Sequence, residues 1–192
     1  MYRTLNVGLM AGTVFLLLSV QPAWAQGEHL VQATDHAQQA AGHGEMGHAE
    51  ILVQHAAAAL THAEVAGDDN PYTVAAVASL REALTHGNMG HTEIATGRVN
   101  QGLMHLQVAV PVDRALLHGA QAVSQGNMGR MPLFHTHAEQ ALAHARAAAE
   151  IADSAHINLA IEGFEEAIMH GEMEHSGPAV KSAETAMSHL HM

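Results

Sequence analysis

From residue 28 onward, apolar and small residues recur in a seven-residue register. Counted from one polar position taken as 0, they fall at +1, +4 and +5. Ala49, Leu52, Val53, Ala56, Ala59 and Leu60 mark one such segment, and Ile157, Ala160, Ile161, Phe164, Ala167 and Ile168 another. Successive residues of an α-helix turn by about 100°, so these positions form one continuous apolar stripe. The stripe is rich in Ala, which lets helices approach closely. Four similar segments interrupt it: His43-Gly44-Glu45-Met46-Gly47-His48, His86-Gly87-Asn88-Met89-Gly90-His91, Gln125-Gly126-Asn127-Met128-Gly129-Arg130 and His170-Gly171-Glu172-Met173-Glu174-His175. They read as tight turns of αα-hairpins, with Gly44, Gly87, Gly126 and Gly171 as the turn formers that stop each helix. Met46, Met89, Met128 and Met173 then read as flexible plugs over the ends of the core, with a thioether ligand for Cu(I) as the second reading.

The pattern predicts eight helices, at 28–42, 48–66, 71–86, 91–107, 111–125, 133–152, 155–170 and 176–190. Pro71 suits a helix start, and Val110-Pro111 reads as the break between the second and third hairpins. The expected fold is all-α, with antiparallel αα-hairpins forming two tandem four-helix bundles, at 26–109 and, more degenerate, at 110–192. Composition agrees: Ala is the strongest helix former, and Phe, Tyr and Trp number only 3, 2 and 1.

Residues 1–25 have the features of a signal peptide. Arg3 supplies the positive end, Val7 to Val20 the apolar run, and Ala23-Trp24-Ala25 the cleavage site, so a mature chain starting at Gln26 is expected, in the periplasm of a Gram-negative cell. No membrane association is expected after cleavage. The chain has no cysteine, which excludes thiolate metal sites, covalent haem attachment and cysteine nucleophiles. All 19 acidic residues follow residue 25, and the whole-chain charge is −12 with neutral His, which argues against nucleic acid as a partner and for cations.

The chemistry lies in the 18 histidines. Most occupy position 0, the flank of the apolar stripe, where antiparallel partners in a hairpin face each other. The turns dictate the pairing: His43 with His48, His36 with His55, His29 with His62, His86 with His91, His118 with His137, His156 with His189, and His170 with His175. Other rungs are incomplete: Tyr72 faces His105, Ser79 faces Arg98, Pro111 faces His144, Gln125 faces Arg130, and Gly163 faces Ser182. His135 and His191 fall off the ladder. Two imidazoles held across a helix pair form a bidentate site for a divalent first-row metal, with affinity peaking at Cu(II) and Ni(II) or Zn(II) as alternatives. Glu45, Glu50, Glu93, Glu139 and Glu172 are candidates to complete the shells. A single exposed His is an ordinary helix residue, but recurrence at partner positions across four turns is not.

These residues resemble the small metal-binding protein family. The matching text is His36-Ala37, His43-Gly44, Gly47-His48, His55-Ala56 and Leu60-Thr61-His62-Ala63, followed by His86-Gly87 and Gly90-His91. The match covers about 28–107 well and 111–190 in weaker form, as a tandem duplication. The resemblance implies a four-helix bundle, copper binding with tolerance for other divalent ions, and a role in periplasmic metal storage, buffering or detoxification. It implies ligation at His29, His36, His43, His48, His55, His62, His86, His91 and His105. It extends to His118, His137, His144, His156, His170, His175 and His189.

No enzyme is expected. Glu45-x-x-His48 and Glu172-x-x-His175 match a di-iron motif in text, but both lie on turns, and H-E-x-x-H is absent. The rival reading is a structural or pH-responsive bundle, because 18 imidazoles would charge it strongly in acid.

Overall fold

The structure is a computed structural model that describes the backbone from Ala23 and the side chains from Gln26 to the C-terminus; the signal-peptide features lie almost wholly outside it. It contains helices α1 (Ala23–Glu45), α2 (Ala49–Ala66), α3 (Pro71–Asn88), α4 (Thr92–Asn127), α5 (Met131–Ala149), α6 (Ala155–Glu172) and α7 (Ser176–Leu190). Sequential neighbours pack antiparallel, and α4 also packs on α1 and on α7. Two four-helix rings result, α1–α2–α3–α4 and α4–α5–α6–α7, which share α4 as a common member.

The +4 and +1 positions of the register are the core. Leu52, Ala56, Ala59 and Ala63 on α2 are fully buried, as are Ile157, Ala160, Phe164 and Ala167 on α6. Alanines fill most of the interior. Phe134 and Phe164 are the largest buried side chains, and both lie in the second bundle. Tyr72 packs against the cores of both bundles, so the two are joined at their inner ends.

Seven helices stand where eight are expected, because α4 runs unbroken through Pro111. Proline removes the N–H that would bond the carbonyl of Gln107, at a typical helix-interior cost of about 3 kcal/mol. The surrounding core offsets this. Leu106, Val108, Ala109, Val112 and Ala115 are buried on both sides of the proline, so breaking the helix would expose core. Nearby, buried Asn70 ties the start of α3 to α4: its side-chain amide donates to the Ala109 carbonyl at 2.9 Å, while its Oδ1 accepts from the Tyr72 N–H at 3.0 Å and caps α3. A division near residue 110 therefore falls inside a helix.

The four tight turns share one geometry, and it corrects the role of their glycines. Gly44, Gly87, Gly126 and Gly171 are still helical. The left-handed residue is the one three positions later: Gly47, Gly90 and Gly129, with φ of 77°, 78° and 71°, and Glu174, with φ of 57°. In each turn the N–H after that residue donates five residues back. His48 bonds the His43 carbonyl, His91 that of His86, Arg130 that of Gln125, and His175 that of His170, all at 2.9 Å. This is the Schellman closure, with its inner bond present in all four turns (Gly47 N to Gly44 O, 3.0 Å, in the first). It ties the two residues of the outermost rung to each other through the backbone. The earlier glycines serve packing: a Cβ on Gly44 would strike Thr96 and Leu52, and one on Gly126 would strike Val180 and Phe134.

Candidate metal centre

Position 0 is half-buried at most rungs, because it flanks the stripe and is covered on one side by the facing helix. In the first hairpin the Nδ1 atoms of His29 and His62 stand 3.1 Å apart, those of His36 and His55 3.3 Å, and those of His43 and His48 3.4 Å. The second hairpin holds His86 and His91 at 3.5 Å. In the second bundle the pairs also face each other, with ring centroids at 5.8 Å for His118 and His137, as for His86 and His91, and at 6.1 Å for both His156–His189 and His170–His175. All seven pairs expected from the turn arithmetic are brought together.

These spacings fit a metal ion. Two imidazole nitrogens bound at about 2.0–2.1 Å to one ion, at a roughly tetrahedral angle, lie about 3.3–3.4 Å apart. The first-bundle rungs already span that range. In the second bundle His137, His170 and His189 each bury an Nδ1 that has no hydrogen-bond partner, an arrangement that costs stability unless something binds there. Neutral imidazole is favoured at the densest positions. Burial, then the neighbouring His36 and His43, lower the pKa of His55; burial, then His29 and His36, lower that of His62; burial, then His118 and Arg114, lower that of His144.

Other expectations are corrected. Among the described residues no three His, Asp or Glu side chains converge as an ion-binding group, so the carboxylates do not complete the rungs. Glu50, Glu93 and Glu139 sit two residues after a rung, and residues i and i+2 point to opposite sides of a helix. Glu139 and Glu172 flank His135 instead, with Oε2 at 3.6 Å from Nδ1 and Oε1 at 3.7 Å from Nε2. Glu45 is exposed. The loop methionines are not plugs: Met46, Met89, Met128 and Met173 are 60%, 55%, 51% and 47% exposed, because each occupies the C-cap, beyond the last core layer. Arg98, at a lost rung, is paired with Glu82 at 3.0 Å.

The remaining histidines have separate surroundings. His105 lines a cavity of about 240 Å³ at the bundle junction, together with Tyr72, His156 and His189. His191 Nδ1 lies 2.7 Å from the Asp69 carbonyl and ties the C-terminus to the α2–α3 connection. His144, opposite Pro111, stacks on His118 at 5.5 Å.

Sequence reasoning missed the diagonals. His36 and His62, which the rung arithmetic separates, stack at 5.7 Å with planes 5° apart, and His43 and His55 do so at 5.6 Å and 2°. The signal was available. Side chains lean toward the N-terminus of their own helix, so rings on antiparallel helices lean in opposite directions. His36 leans toward His62, and His62 toward His36. The first hairpin thus carries one unbroken zigzag of six rings: 29, 62, 36, 55, 43, 48.

No helix among the described residues is long and apolar enough to cross a membrane. No curated protein matches the chain. The sequence profile of the small metal-binding protein family matches twice, over residues 4–109 and 110–192, as a tandem duplication requires. With both repeats matched and paired imidazoles lining both bundles, the chain belongs to the small metal-binding protein family and binds metal ions.

Proposed function

We propose that the protein binds several divalent first-row ions at once, Cu(II) most tightly and Ni(II) and Zn(II) less so, as an exported metal store or buffer and not as an enzyme. The observation that carries this reading is the rung spacing: four pairs of Nδ1 atoms at 3.1–3.5 Å, on rigid helices, ready to share an ion. Copper is preferred because affinity at imidazole sites peaks at Cu(II) along the first row. Two protein nitrogens with water in the remaining positions make open sites of modest affinity, which suits buffering better than permanent retention. The signal-peptide features of residues 1–25 support export.

Native mass spectrometry at neutral pH, with Cu(II), Ni(II) and Zn(II) in separate titrations, tests the proposal. Several bound Cu(II) ions per chain are expected, displaced least readily by a competing chelator. A single equivalent, or none, overturns it. The pH-responsive reading draws on the same crowded imidazoles, and it requires that metal leave the unfolding temperature at neutral pH unchanged. Linkage predicts instead that Cu(II) raises it.

A further inference from the structure

The rungs of the first hairpin are not separate sites. Centroid separations along the zigzag are 5.3 Å (29–62), 5.7 Å (62–36), 5.6 Å (36–55), 5.6 Å (55–43) and 5.7 Å (43–48). Every inner ring therefore lies within 0.4 Å of being as close to its diagonal neighbour as to its rung partner. The diagonal rings are stacked nearly parallel, with planes 5° and 2° apart, so aiming such a pair at one ion calls for turning both rings.

We infer that His36–His62 and His43–His55 are two further metal sites, so that the six imidazoles form one continuous track on which bound ions occupy either of two registers. This rests on the metal-binding reading above and deepens it. A ring that gives its nitrogen to a rung ion cannot give it to a diagonal ion, so the registers exclude each other. The rung register holds three ions and uses all six rings. The diagonal register holds two and leaves His29 and His48, the two ends, free. Passing from one to the other moves an ion by half a heptad, about 5 Å along the helix axis, by exchanging one imidazole at a time. An ion can then travel from the bundle junction to the turn without leaving the protein. The same lean brings His118 to His144 in the second bundle, which gives a ring without a rung partner a place on a track.

Counting ions separates the two schemes. In the double variant His29→Ala/His48→Ala, independent rungs leave only 36/55 on this hairpin, a loss of two ions from the parent. The track shifts register and keeps 62/36 and 55/43, a loss of one. The variant His36→Ala/His55→Ala loses one ion under either scheme and serves as the reference. Native mass spectrometry of the full chain at saturating Cu(II) should give equal counts for the two variants, with circular dichroism confirming equal helicity. A count one lower for His29→Ala/His48→Ala than for the reference overturns the track. Should the Ala pair reduce helicity, His29→Gln/His48→Gln supplies the same comparison. A parent that binds no ion would instead refute the metal-binding reading itself.

Discussion

Glu174 is the one described residue other than glycine with positive φ, at 57°. It closes the fourth turn where the other three use Gly47, Gly90 and Gly129. An L-residue in the left-handed region costs on the order of 1–2 kcal/mol, which glycine avoids. Glu174→Gly should therefore stabilise the metal-free protein by about 1 kcal/mol, seen as a rise of roughly 2–4 °C in the unfolding temperature. A fall would mean that the exposed Glu174 side chain contributes more than its backbone costs. The sequence did not reveal which glycine of the first three turns is the left-handed residue, because two glycines stand within four residues in each. Only the surroundings of Gly44 and Gly126, where a Cβ has no room, separate packing from turning. A similar limit explains one lost rung. A Cβ at Gly163 would lie 2.9 Å from that of Ala186 and 3.1 Å from its Cα, so the approach of α6 to α7 leaves no space for an imidazole.

At the scale of the hairpin, burial and crowding make His55, His62 and His144 weaker bases. The pKa values of His55, His62 and His144 are lowered by burial first and then by their cationic neighbours. The unfolded chain therefore binds more protons than the folded one once the pH falls below about 6.5, the free imidazole value. Stability from these rings is present above that pH and is lost as the pH falls through it toward the lower folded values. Asp113 acts in the opposite sense. Burial raises its carboxyl to about 6, against a lowering by Arg114 and a raising by Asp69, so its cost to the fold is full above that pH and fades as the pH falls toward 3.8. Denaturant unfolding of the metal-free protein should show stability dropping between pH 7 and 5, more steeply in Asp113→Asn. A flat profile would show that the stacked rings titrate as free imidazoles do. The pairing behind this behaviour was legible in the sequence, because heptad spacing and turn length fix which positions meet. The diagonals were not read from it, because the arithmetic treated side chains as pointing straight across and ignored their lean.

For the whole molecule, the all-helical class and the two four-helix rings follow from the stripe and the four turns, and both are seen. The count of helices does not follow. A proline beside a valine reads as a break until one sees that Leu106, Val108, Ala109, Val112 and Ala115, on both sides of it, are buried against other helices. Long-range compensation of that kind leaves no local mark. The consequence of the unbroken α4 is a matter of shape in solution. Its 36 residues span about 54 Å at 1.5 Å each, so the bundles are stacked end to end and not folded side by side. A compact body of this size would have a radius of gyration of about 15 Å. A rod of that length and the width of a four-helix bundle has one of about 18 Å. Small-angle scattering should give the larger value, with the asymmetric distance distribution of an elongated particle. The smaller value would mean that the helix bends sharply at Pro111, and a molecule jointed there would present its two sets of imidazoles to one another and not along a single shaft.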